Sequence, residues 1–353
     1  MMTAAHAMDR RTFLTGAFAS AATQSSLAQS NTGPRMRYGA AAMKEDMAAD
    51  PRYRDALIRH CDIIVPMNDL KWEALRPTRD TFAFDDADRT IAFARSNGKA
   101  VRGHTLCWYS ALPAWTREIS TRRDAERELV RHIETVVGRY AGRIPSWDVV
   151  NEAIAHDPSR QGTWRDGLWS RLLGPEHIEI AFRAAASADP RAELVYNDYD
   201  LETNDPREER RRAEALALVR RLQDKKIPIH AIGFQAHLYP ERKLDPDGIG
   251  HFVKALASLG VKVLVTELDV IDWRLPAAIA ERDRLAAAHV GAFLSAITAA
   301  APLDTLITWG ITDRFSWIHE TFKRSDSARS RPLPLDEAYR EKPMMDVIRR
   351  FRR

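Results

Sequence analysis

Trp147-Asp148-Val149-Val150-Asn151-Glu152 and Val265-Thr266-Glu267-Leu268-Asp269 each carry an apolar, β-branched-rich run straight into a carboxylate. Runs this short read as buried strands, because a helix needs a longer repeat at 3.6-residue spacing. Outward from them, similar runs begin near Met36, Ile63, Ala100, Ser146, Glu193, Ala231, Val261 and Leu306. Segments with helical apolar spacing lie between, among them residues 87–96, 125–140, 176–188 and 208–225. Gly98 and Gly260 stand where a helix end favours a left-handed residue, each just before the next strand. Eight strands alternating with helices predict an α/β fold, a single (β/α)8 TIM barrel. An open doubly wound sheet would share the alternation, but no Gly-x-Gly-x-x-Gly turn follows an early strand. No Pro/Ser/Gly linker interrupts the chain after residue 34, so residues 29–353 read as one domain.

The composition suits a soluble enzyme: 353 residues, 45% hydrophobic and 29% charged. Its 53 basic and 49 acidic residues are interspersed and leave a net charge of only +4, with no stripe for nucleic acid. Arg349, Arg350, Arg352 and Arg353 read as a solvated last helical turn. Arg10-Arg11-Thr12-Phe13-Leu14 is a twin-arginine pattern, followed by a mildly apolar stretch and the small residues of Ser26-Leu27-Ala28. Residues 1–28 are therefore expected to be a cleavable signal segment, with Met8 as an alternative start and a periplasmic or secreted mature protein. The apolar run is too short for a membrane anchor, so none is expected in the mature form. Cys61 and Cys107 lie too far apart for a disulfide and read as small buried hydrophobes.

A barrel carries its site at the C-terminal ends of its strands, and the unusual polar residues of this chain fall there. Strand two runs into Asn68, Asp69, Lys71, Trp72 and Glu73, and strand three into His104 and Trp108. Strand four ends in Asn151-Glu152, strand five in Asn197-Asp198-Tyr199, and strand six in Gln235-Ala236-His237. Strand seven ends in Glu267-Leu268-Asp269, and strand eight in Trp309 and Asp313 with Trp317 beyond. Glu152 and Glu267 would face each other across the mouth, as the paired carboxylates of glycosidic cleavage must. Gln235 and His237, two residues apart on one strand, share a face and could serve each carboxylate in turn, with Asp269 orienting His237. Trp72, Trp108, Trp309 and Trp317 would give flat apolar walls for pyranose faces, while Asn68, Lys71, Glu73 and His104 suit sugar hydroxyls. Trp115, Trp164, Trp169 and Trp273 read as core or loop packing. No His-x-His or His-Glu-x-x-His spacing occurs, and neither metal nor cofactor is expected.

Gly103-His104-Thr105-Leu106-Cys107-Trp108, Trp147 through Ala153, Gly233-Phe234-Gln235-Ala236-His237-Leu238 and Thr266-Glu267-Leu268-Asp269 resemble the blocks of glycoside hydrolase family 10. So do Trp309-Gly310-Ile311-Thr312-Asp313 and Arg331-Pro332-Leu333-Pro334-Leu335-Asp336, in the family's order over about residues 36–350. The resemblance implies a retaining endo-1,4-β-xylanase acting on xylan or xylo-oligosaccharides; a monomer is expected. It implies Glu152 as acid/base and Glu267 as nucleophile. His237 and Asp269 would support Glu267, with Asn151 and Gln235 beside the reacting sugar. Asn68, Lys71, Glu73, His104, Trp108, Trp309 and Trp317 match glycone-side positions, and Tyr199 one near the leaving group.

Two features depart from the pattern. The family continues the third-strand block as Trp-His-Ser-Gln, whereas this chain reads Trp108-Tyr109-Ser110-Ala111, and Ala111 cannot bond a sugar hydroxyl. Residues 323–331 are basic and Ser-rich, which fits a flexible loop or a preference for acid-decorated xylan. Two other readings stay open: a barrel hydrolase for another β-linked glycan or for short or aryl xylosides, and a non-catalytic sugar-binding barrel.

Overall fold

The computed structural model describes residues 35–352; the expected signal segment lies outside them. Nine strands occur among these residues: β1 (Arg37–Ala42), β2 (Ile63–Pro66), β3 (Ala100–Val101), β4 (Ser146–Asn151), β5 (Glu193–Asp198), β6 (Ala231–Phe234), β7 (His237–Leu238), β8 (Lys262–Val270) and β9 (Thr305–Thr308). All pair in parallel, in the order β3-β2-β1-β9-β8-β6-β5-β4. The ring closes where Gly103 and Cys107, just past β3, bridge to Trp147 and Val150 of β4. The Gly103 N–H donates to the Ser146 carbonyl at 2.9 Å, and the Asp148 N–H to the Gly103 carbonyl at 2.9 Å. A Cβ on Gly103 would stand 2.1 Å from the Trp147 indole, so closure requires glycine there.

β6 and β7 are two halves of the sixth barrel strand, and β7 pairs with the outer end of β8. Eight strand positions with intervening helices make the (β/α)8 barrel that the alternation predicts. Every residue of β2 and β4 is buried, which is why these strands read as continuous apolar runs. The helix Arg122–Arg139 buries Ala125, Leu129, His132, Ile133, Val136 and Val137 at three- and four-residue spacing against the helix Glu176–Ala188. Gly98 and Gly260 take φ of 68° and 71° at their helix ends, the left-handed turn expected of them. Cys61 and Cys107 are buried and free.

Trp72 departs from the expectation of a sugar-facing wall. It is only 2% exposed, its Nε1 donates to the Leu106 carbonyl at 2.7 Å, and its ring stacks on His132 at 3.9 Å. An indole at the first turn of a helix that follows β2 points back into the layer between helices and barrel, not into the mouth. Trp169 and Trp115 pack on it, as their reading as packing residues anticipates. The basic stretch 323–331 is tied down rather than loose. Arg324 is buried and donates to the Leu275 carbonyl and to Asp326, Arg329 pairs with Glu337 at 2.7 Å, and Arg331 pairs with Asp283 at 2.7 Å. No helix of the described residues is long and apolar enough to cross a membrane.

Candidate active site

Irregularities at two strand ends turn the glutamates into the mouth. The β4–β5 register shifts between Asp148 and Val150, and Glu152, one residue past β4, takes φ of 56° with its N–H bound to the Asn197 carbonyl at 2.9 Å. A left-handed glutamate is costly by about 1–3 kcal/mol, and the bonds around it must hold it there. The β8–β9 register likewise shifts between Val265 and Leu268, the stretch that contains Glu267. Glu152 and Glu267 are 9% and 5% exposed, so both face a small opening.

Neutral amides join the two carboxylates. Asn151 Nδ2 and Gln235 Nε2 donate to Glu152 Oε1 at 3.2 and 2.9 Å. Asn151 Oδ1 accepts from Gln235 Nε2 at 3.2 Å and from Asn197 Nδ2 at 2.9 Å. Asn197 Nδ2 also donates to Glu267 Oε1 at 2.7 Å, while Thr266 Oγ1 donates to Asn197 Oδ1 at 2.6 Å. Asn197 thus ties Glu267 to Asn151, and through it to the support of Glu152. Sequence reading named it as a strand end and gave it no part; its signal was a polar residue closing the apolar run of β5.

Gln235 and His237 each reach a different carboxylate, but not by the pleat of one strand. Ala236 takes φ of 61° and breaks the strand between them. The break sends Gln235 to Glu152 and lets His237 sit in β7 opposite Asp269. His237 Nδ1 is 2.8 Å from Asp269 Oδ1, and its Nε2 is 3.4 Å from Glu267 Oε2. Burial pulls the imidazole pKa down, but Asp269 and Glu267 outweigh it and raise it well above its ordinary value. Each ring nitrogen thus has a carboxylate partner, the arrangement that favours the doubly protonated ring. Burial in turn pushes Glu267 up, yet the His237 hydrogen bond and the neighbouring His104 hold it below the usual range. Trp317 Nε1 donates to Asp269 Oδ2 at 2.8 Å and its ring meets His237 edge-on at 5.3 Å.

His104 Nδ1 bonds the buried Asp148 at 3.0 Å, lies 3.9 Å from Glu267 Oε1, and packs edge-on against Trp309 at 5.1 Å. Asp148 is itself clasped by both terminal nitrogens of Arg102. Lys71 Nζ donates to Asn68 Oδ1 at 2.8 Å and lies 5.1 Å from the Trp108 ring and 5.9 Å from the Trp309 ring. Burial lowers the Lys71 pKa, and the charges of Glu267, Glu152 and Glu73 act against that shift. Glu73 is exposed, with its N–H bound to the Ala111 carbonyl at 2.9 Å. Tyr199 lies on the Glu152 side, its hydroxyl bound by Arg165 and 3.2 Å from His156 Nδ1. Asp69, Asp198 and Asp313 turn away into structural bonds with Thr90, Arg211 and Lys342. Among the described residues no group of three His, Cys, Asp or Glu side chains is placed to hold a metal ion.

One carboxylate held ionised by an imidazolium, and a second held by amides, is an arrangement suited to double displacement at a sugar carbon. Comparison with known proteins points the same way. The model of glycosyl hydrolase family 10 matches residues 26–350. Endo-1,4-beta-xylanase 1 of Humicola insolens is 35% identical over 349 residues, which cover 97% of this chain and 78% of that one. Endo-1,4-beta-xylanase B of Thermotoga neapolitana is 32% identical over 299 residues, 84% of this chain and 82% of that one. The crystal structure of xylanase 10B from Thermotoga maritima superposes with a TM-score of 0.82 at 32% identity, covering 90% of this chain and 95% of that one. With its barrel, its strand-end glutamates and a match along nearly its whole length, the chain belongs to glycosyl hydrolase family 10.

Proposed function

We propose that the protein is a retaining endo-1,4-β-xylanase, exported by its twin-arginine segment and active as a monomer. The observation that carries this reading is the unequal support of the two carboxylates. Glu267 faces the doubly protonated His237 and stays ionised, as a nucleophile must. Glu152 takes its bonds from the carboxamides of Asn151 and Gln235, which can follow it through loss and regain of a proton. In the first step Glu267 bonds the anomeric carbon as Glu152 gives its proton to the departing oxygen. In the second, Glu152 takes a proton from water, which attacks the same carbon and releases Glu267; two inversions give net retention. Asn68, Lys71, Glu73, His104, Trp108, Trp309 and Trp317 would bind the glycone side, and Tyr199 the leaving-group side. Relatives named as xylanases support xylan as the glycan.

The test is to incubate the protein with xylan, mixed-linkage glucan and aryl xylobioside, following reducing ends and the anomer first released. Xylan turnover with retention is expected; preferential hydrolysis of the glucan, or no turnover at all, would overturn the assignment. Glu267→Ala should lose turnover and be partly restored by azide. Glu152→Ala should spare substrates with activated leaving groups, which need little protonation.

A further inference from the structure

Glu152 is held from behind by a feature outside the amide relay. The segment after β4 folds back on itself, with an antiparallel bridge between Ile154 and Trp164 and the Arg165 N–H bound to the Ala153 carbonyl at 2.8 Å. This return places Arg165 Nε 2.8 Å from the main-chain carbonyl of Glu152, the residue in the left-handed conformation. The guanidinium lies 4.6 Å from the Tyr109 ring centroid and 5.4 Å from that of Tyr199, and binds the Tyr199 hydroxyl. Tyr109 is 40% exposed, unusual for so large a ring, and occupies the position where the family resemblance expects histidine. Its backbone is seated on Gly167, where an added Cβ would come within 2.9 Å of the Tyr109 Cβ. The Tyr109 and Tyr199 rings thus both lie against the guanidinium that holds the Glu152 backbone.

We propose that Arg165 is a positioning residue for the proton carried by Glu152, fixing its backbone and setting a permanent cation beside it. This rests on the reading of Glu152 as acid/base. As the proton moves to the departing oxygen, Glu152 becomes an anion in a site of little exposure. A cation already in place favours that anion with no reorganisation during the step. The other groups near Glu152 are Lys71 from the β2 side, the neutral amides of Asn151 and Gln235, and Asp198, whose carboxylate is turned to Arg211. None of them changes in the variants below.

The test uses the full chain as wild type, Arg165→Gln and Arg165→Lys, on aryl xylobiosides that share one glycone and differ in leaving group. Arg165→Gln should lose about tenfold in kcat/KM with an unactivated leaving group and less than about twofold with an activated one, and Arg165→Lys should recover most of that loss. No loss, or equal losses on both leaving groups, would overturn the proposal. A wild-type protein with no turnover on any of these substrates would instead overturn the proposed function, and the proton-delivery role with it.

Discussion

Asn197→Ala should lower kcat/KM on aryl xylobioside about 10- to 150-fold while leaving the barrel folded. The carboxamide makes three bonds: to Glu267 Oε1 at 2.7 Å, to Asn151 Oδ1 at 2.9 Å and from Thr266 Oγ1 at 2.6 Å. Two of the partners keep another. Asn151 Oδ1 still accepts from Gln235, and the Thr266 hydroxyl still reaches the Phe234 carbonyl at 3.0 Å. The bond lost outright is the one to the ionised Glu267, and a hydrogen bond to a charged group contributes about 1.5–3 kcal/mol. At about 1.4 kcal/mol per decade this gives the stated range. Removing a small polar side chain whose neighbours stay bonded should lower the melting temperature by no more than about 5 °C. An activated leaving group isolates the nucleophile's step, because little proton donation is needed there. A folded variant with a loss below about threefold would refute the reasoning. So would a loss confined to unactivated leaving groups, which would place the effect at Glu152 through Asn151.

Three further outcomes follow from the geometry. In His237→Ala, Glu267 loses the hydrogen bond that lowers its pKa. The acidic limb of kcat/KM, where the nucleophile takes up its proton, should move up by about one pH unit or more, and an unmoved limb would exclude the imidazolium as its cause. Burial and the charges of Glu208 and Asp200 push Glu202 up to about 8, and its Oε1 is buried without a partner. Its folded pKa lies above the unfolded value, so its contribution is fully present below about 4.5 and lost as pH rises through about 8. Thermal melts of Glu202→Gln should therefore gain on wild type between pH 5 and pH 9, and a constant difference would count against a protonated Glu202. Ala111→Gln restores a side chain able to bond a sugar hydroxyl beside Glu73. It should lower the Michaelis constant for xylotriosides about 2- to 10-fold, the worth of one neutral hydrogen bond; no change would remove that position from recognition.

The eight strand starts, the left-handed glycines at 98 and 260 and both glutamates were legible because each is a local pattern. Parallel strands buried on both faces leave continuous apolar runs, and such runs end where the chain meets solvent. Trp72 misled because an indole looks alike in sequence whether it faces sugar or core, and only its stack on His132 separates the two. Asn197 and Arg165 escaped for a related reason: each bonds a partner that lies on another strand or before a returning segment.

By itself the sequence determined the strand count, the barrel and which residues end its strands, since apolar periodicity and turn residues are written locally. It also named Glu152 and Glu267. Only the tertiary structure decided how they differ. The Ala236 break separates Gln235 from His237, the β4 and β8 register shifts turn the glutamates inward, and β7 sets His237 against Asp269. Which carboxylate faces an imidazolium and which faces amides depends on distances across the barrel mouth, and charge–charge energies vary with those distances rather than with spacing along the chain.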